Sequence, residues 1–134
     1  MTTIYREILV DADVDASWAA LCDVGAIHER LARGFVVDTT LAGEYRTVTF
    51  IGDVVVRERL IGRDDVRRRL AYAVVDNPEV RHHASFQVLP GDLGGSRLVW
   101  ITDVAPDAAA PSFAAMIDTG VTAIRRTLGS SRQA

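Results

Sequence analysis

PSFAAMIDTGVTAIRRTLG, residues 111–129, is the stretch on which the fold turns. Phe113, Ile117, Val121, Ile124 and Leu128 recur at three- and four-residue spacing, the period of an α-helix, so one stripe of this segment must be buried. Pro111 suits the first helical turn, where its missing N–H is not needed, and Gly129 suits the stop. Gly120 is the anomaly, because a glycine inside a helix costs about 1 kcal/mol relative to alanine. Close approach to a facing sheet, or space for a ligand beneath the helix, is the expected compensation. Met116 nearby is read as core filler or as a cavity contact.

A buried stripe needs a partner, and the sequence upstream supplies it. Residues 36–41, 45–50, 54–62, 68–75, 80–89 and 97–104 read as strands, separated by the turn residues Ala42-Gly43, Gly52-Asp53, Asp64-Asp65, Asp76-Asn77-Pro78 and Gly91 to Gly95. Connections this short make neighbouring strands antiparallel. Residues 4–10 form an earlier strand, and DADVDASWAALCDV then changes period. Asp13 can cap a short helix there, Asp15 sits in its favourable first turn, and Trp18, Leu21 and Cys22 share a face. Ile27, Leu31 and Phe35 suggest a second short helical piece. The expected class is therefore α+β, a six- to seven-stranded curved antiparallel sheet around a long C-terminal helix, with two short helices closing one end. Residues 130–134 are expected to be a frayed tail.

Length and charge narrow the role. The 134 residues suit one domain, 1–134, with 49% hydrophobic and 25% charged residues, an ordinary globular balance. Fifteen Lys+Arg against eighteen Asp+Glu give a net charge of −3, so nucleic acid is not an expected partner. No apolar run is long enough to insert in a membrane, the N-terminus MTTIYREILV has no leader pattern, and Cys22 has no internal disulfide partner, so a cytoplasmic location is expected. Arg63, Arg67 and other exposed strand residues argue against a large obligate interface, so a monomer or weak homodimer is expected.

Some familiar chemistries lack their residues. His82 and His83 are adjacent in a strand and point to opposite faces, His28 has no ligand-spaced neighbour, and no metal site is expected. The 91–95 glycines lack a phosphate loop's ending, Ser85 lacks a nucleophile turn, and no cofactor is expected. Asp103 has outward parity and is expected to fix the chain exit before Pro106 by hydrogen bonding.

Strand parity points to the site. The more apolar face carries Val48, Val56, Phe86, Trp100 and Thr102, but also Arg46, Glu58, Tyr72 and His82. If Phe50 lies opposite Val54, Arg46 lies opposite Glu58. If Leu60 lies opposite Leu70, Glu58 lies opposite Tyr72, and the four polar residues form a row across neighbouring strands. A buried charge is costly unless paired and hydrogen-bonded, so Arg46 and Glu58 should meet each other or a ligand. The polar four are then either a buried network, ligand contacts, or candidate catalytic groups. Trp100 offers a flat wall for an aromatic ligand or serves as core beneath the helix.

The order of elements, together with DASWAALCDV, EYRTVTF…VVVRERL, SRLVWITDVAP and APSFAAMID, resembles the START/Bet v1-like (SRPBCC) superfamily, including polyketide cyclase/dehydrase-like proteins. The resemblance spans nearly the whole chain and implies a helix-grip fold with an internal cavity for a small hydrophobic or aromatic, lipid- or polyketide-like ligand. Arg46, Val48, Val56, Glu58, Tyr72, His82, Phe86, Trp100, Thr102, Met116 and Gly120 are the expected ligand-binding residues. As an alternative, a cyclase, aromatase or dehydratase would use Arg46 or Tyr72 to polarise a carbonyl and Glu58 or His82 to move a proton. A co-chaperone-like interaction protein is the third reading, and fold alone does not choose among them.

Overall fold

A computed structural model describes residues 1–130. The elements run β1 (Thr2–Val10), α1 (Val14–Cys22), α2 (Ile27–Arg30), β2 (Val36–Ala42), β3 (Tyr45–Phe50), β4 (Val54–Asp64), β5 (Arg69–Val75), β6 (Arg81–Pro90) and β7 (Ser96–Ala105). A 3-10 turn, Asp107–Ala109, then leads into α3 (Ala110–Leu128). One seven-stranded sheet has the order β1-β7-β6-β5-β4-β3-β2, with every pair antiparallel. β2 to β7 are a meander, and β1 closes beside β7, so α1 and α2 carry the chain from one sheet edge to the other.

α3 buries Ile117, Gly120, Ala123 and Ile124, with Phe113, Val121 and Leu128 at the margins of the buried stripe. Beneath it the sheet contributes Ile8, Val48, Ala84 and Leu98, all with 0% exposure. Burying each large aliphatic side chain is worth about 1.5–3 kcal/mol, which outweighs helix propensity in holding α3 down. Its far end is tied as well. The Asp11 and Ala12 N–H groups donate to the Gly129 and Leu128 carbonyls, each at 3.0 Å. Gly129 has φ 94°, and a Cβ there would lie 2.9 Å from that of Asp11, so the stop requires glycine on two counts. Arg6, on β1, donates to Asp118 of α3 at 2.6 Å.

Asp13 caps α1 by accepting the Ala16 N–H at 2.8 Å. Ser17, Ala20 and Leu21 form the buried side, and the half-buried Trp18 donates its indole N–H to Asp65 at the β4–β5 turn, 3.2 Å away. The buried Ser96 hydroxyl, which donates to the Ala12 carbonyl at 2.7 Å, accepts from Ser17 at 3.1 Å and so fastens α1 to β7. His28 is half-buried, with Nδ1 3.1 Å from the Thr39 hydroxyl, and joins α2 to β2. Asp103 accepts from Thr3 rather than from the chain exit, linking β7 to β1. Ser130 pairs with Val10 instead of fraying, and the rest of the expected tail, residues 131–134, lies outside the described residues.

The β3–β4 register follows the turn argument: Phe50 pairs with Val54 and Arg46 with Glu58. The β4–β5 register does not. Leu60 pairs with Tyr72 and Glu58 with Val74, because the hairpin closes wider than expected, on Asp64 and Arg69, and the irregularity between Leu60 and Gly62 then takes one place back. The sliding leaves Leu60 opposite a residue two places beyond the expected Leu70, so side chains keep their faces while the polar row becomes staggered.

Candidate ligand site between the sheet and the long helix

Two cavities lie side by side between the sheet and α3, with Phe35, Phe50, Glu58, Tyr72 and Trp100 as common walls. The first, about 60 Å³, lies toward α1 and α2 and is floored by Val48, Leu70 and Phe86, with Gly120 and Ile124 above. The second, about 130 Å³, lies under the N-terminal half of α3, between Val56, Val74, His82 and Thr102 on the sheet and Phe113, Met116 and Ile117 on the helix.

Each expected site residue lines one or both cavities. Arg46, Val48, Phe86 and Gly120 line the first; Val56, His82, Thr102 and Met116 line the second; Glu58, Tyr72 and Trp100 line both. Gly120 resolves in favour of close approach, since a Cβ there would stand 3.1 Å from two carbons of the Trp100 ring and 3.2 Å from Phe35. Phe35, in the turn before β2, was not among the expected residues although it walls both cavities. Its helical spacing from Ile27 and Leu31 marked it as apolar and inward-facing but gave no sign that it would reach the sheet centre.

Arg46 and Glu58 are 4% and 6% exposed. Arg46 Nε and Nη2 donate to the same oxygen, Glu58 Oε1, at 2.9 and 2.7 Å, and Nη1 donates to the Val24 carbonyl at 3.4 Å. Both of these Glu58 hydrogen bonds fall on Oε1, and no described residue donates to Oε2. Burial pushes the Glu58 carboxyl above its ordinary range, and the Arg46 guanidinium opposes that rise.

Around this pair the aromatic groups are ordered. The Arg46 guanidinium carbon stands 5.4 Å from the Tyr72 ring centroid. The Tyr72 hydroxyl accepts the Trp100 indole N–H at 3.1 Å, and Trp100 stacks on Phe86 with centroids 4.6 Å apart. The Tyr72 proton is held firmly, its pKa raised first by burial and then by Glu58. His82, 5.9 Å from Tyr72 and 5.4 Å from Phe113 between ring centroids, accepts the Val74 N–H on Nδ1 at 3.0 Å. The neutral ring therefore carries its proton on Nε2. Among the described residues, no cluster of three or more His, Cys, Asp or Glu is arranged to hold a metal ion.

Burial, and to a lesser degree His83, lower the His82 pKa from 6.5 to about 4. The folded protein then binds fewer protons than the unfolded chain between those values, so this contribution is complete above pH 6.5 and is lost as pH falls toward 4. After allowance for partial exposure it is on the order of 2 kcal/mol. His82→Gln, whose amide oxygen can take the Val74 N–H, should show a shallower loss of urea stability between pH 7 and 4.5 than the parent. Parallel pH profiles for the two proteins would rule the linkage out.

A search of curated proteins finds no match. Among solved structures, protein XoxI from Bacillus cereus superposes with a TM-score of 0.83 at 17% identity over 96% of each chain. A protein from Thermobifida fusca gives a TM-score of 0.76 at 26% identity, covering 96% of this chain and 91% of its own. The di-domain ARO/CYC protein BexL, from the BE-7585A biosynthetic pathway, gives 0.66 at 18% identity over 95% of this chain and 43% of its own. The family model described as polyketide cyclase / dehydrase and lipid transport matches residues 1–132, and the chain belongs to that family.

Proposed function

We infer that the protein binds a small, flat, largely apolar molecule, about one aromatic ring in size, in the cavity under the N-terminal half of α3. The observation that carries this is a buried carboxylate, Glu58, with one oxygen tied by Arg46 and the other unpartnered at the wall of an apolar cavity. A carboxylate oxygen that meets open space in place of a protein donor is free to accept from a bound molecule. Size is set by volume: the cavity measures about 130 Å³, close to the engineered cavity of about 150 Å³ that takes up benzene. Val56, Trp100, Phe113 and Met116 supply the flat and adaptable walls such a ring packs against.

The family description, and the kinship in fold with BexL, support a second reading in which the same groups act on a carbonyl compound. Tyr72 would donate to the carbonyl oxygen and Glu58 would take the proton. One experiment addresses both. Met116→Trp fills the cavity at a stability cost of about 1–3 kcal/mol. Toluene and hydroxybenzaldehydes, followed by chemical-shift changes on titration, should bind the parent and bind the variant at least ten-fold more weakly. Phenylacetaldehyde, whose α-proton exchanges with solvent when a base removes it, reads the second: binding without faster deuterium uptake from heavy water supports binding alone, and faster uptake that the variant abolishes supports catalysis. Equal binding by parent and variant would place the ligand elsewhere.

A further inference from the structure

The geometry points to a ligand that is neutral and bifunctional, a single-ring compound carrying both a hydroxyl that donates to Glu58 Oε2 and a carbonyl that accepts from Tyr72, His82 or Thr102. This rests on the binding reading above and specifies the polar pattern that reading leaves open.

The pattern follows from hydrogen-bond capacity at the cavity wall. Glu58, which lines the cavity, accepts both Arg46 hydrogen bonds on Oε1, so Oε2 is an acceptor with no donor among the described residues. Tyr72 uses its oxygen to accept from Trp100, which leaves the phenolic proton without an acceptor among the described residues. His82 spends Nδ1 on Val74 and keeps the Nε2 proton, which likewise has no described acceptor. Thr102, only 1% exposed, adds a hydroxyl at the same wall. These four side chains all line the second cavity and come from β4, β5, β6 and β7. A ligand able only to accept would leave Glu58 unmatched, and one able only to donate would leave Tyr72 and His82 unmatched. A compound with both groups matches the wall.

Neutrality follows from the charge already present. Arg46 and Glu58 form a buried pair with no net charge. A carboxylate ligand would set a second anion beside Glu58, and an ammonium ligand would leave an uncompensated cation in an apolar chamber. Either costs several kcal/mol of desolvation. The ring itself stays single because the cavity is about 130 Å³.

The test is calorimetric and NMR titration of the intact protein with a matched set: 3- and 4-hydroxybenzaldehyde, benzaldehyde, phenol, toluene, 3-hydroxybenzoate and tyramine. At least one hydroxybenzaldehyde isomer should bind ten-fold or more tighter than benzaldehyde, phenol and toluene, and both charged probes should bind more weakly than toluene. Tyr72→Phe and Thr102→Val, which keep side-chain volume, should weaken binding of the hydroxybenzaldehyde by a larger factor than binding of phenol or toluene. Toluene binding as tightly as every hydroxybenzaldehyde would overturn the bifunctional pattern and spare the cavity reading. Preference for 3-hydroxybenzoate or tyramine would overturn neutrality. Failure of every probe, toluene included, would overturn the cavity reading and this inference with it.

Discussion

Arg46→Met should destabilise the protein by about 3–5 kcal/mol at neutral pH, because it leaves Glu58 charged and buried without its partner. The corresponding fall in melting temperature is on the order of 10 °C or more. The pH dependence gives the prediction its specificity. Burial already raises the Glu58 pKa, and removing the opposing guanidinium raises it further. A carboxyl whose folded pKa lies above its unfolded value makes the folded state bind more protons, so stability falls as pH rises through that interval. The variant should therefore be most damaged near pH 8 and recover part of the loss near pH 5, where Glu58 can protonate. Glu58→Gln strands the guanidinium instead, which cannot deprotonate, so its loss should persist at both pH values. Arg46→Met with Glu58→Leu removes both charges and should lie within about 1–2 kcal/mol of the parent. Urea titrations of the parent and the three variants at pH 5 and 8 make the comparison. Equal damage in Arg46→Met at both pH values would mean that Glu58 is not the group left unpaired.

That pair was legible in the sequence because a turn at Gly52-Asp53 fixes a hairpin register, and parity then assigns the faces. The next hairpin was not. The turn there is wider than Asp64-Asp65 suggests, closing on Asp64 and Arg69, and nothing in VVVRERLIGRD announces that the ladder shifts between Leu60 and Gly62, since an irregularity of this kind depends on how the sheet must bend and not on one residue's preference. The wide turn by itself would set Leu60 opposite Ala73 and reverse the facing; the one-place shift restores parity, so Tyr72 lines the cavity that parity assigns to it although its cross-strand partner is Leu60. Phe35 marks the opposite limit. Its helical spacing is genuine as far as Ile27 and Leu31, but α2 ends at Arg30 and the aromatic ring is delivered by a turn whose path local pattern does not encode. The unused capacity of Glu58 Oε2, Tyr72 and His82 is likewise a property of three strands at once. Residue types could nominate those side chains, and only their relative placement shows which atoms are already spent.

Trp100→Ala should cost about 3–5 kcal/mol and change what the protein can hold. The indole stands between the two cavities, stacked on Phe86 at 4.6 Å and pressed against Gly120, with its N–H given to Tyr72 at 3.1 Å. Removing it opens one chamber out of cavities of about 60 and 130 Å³ and releases the Tyr72 oxygen from its donor. A two-ring phenol such as 2-naphthol should then bind the variant at least ten-fold tighter than the parent, whereas single-ring probes should bind more loosely than in the parent. Trp100→Phe separates the wall from the hydrogen bond, since it keeps a ring while losing the donor; its preference for single-ring probes should stay close to that of the parent. Gly120 gives an internal check. In the parent, Gly120→Ala brings a methyl to 3.1 Å from the indole carbons and should destabilise, because Trp100 is held on its other side by Phe86. With Trp100 already alanine the two indole contacts are gone and only the Phe35 carbon at 3.2 Å is left, now with room to move away, so the same change should cost less than in the parent, offset by up to about 1 kcal/mol of helix propensity. Calorimetry and urea unfolding of the single and double variants read both effects. If Gly120→Ala costs as much in both backgrounds, the indole is not what requires glycine at the middle of α3, and the division of the chamber by Trp100 loses its support.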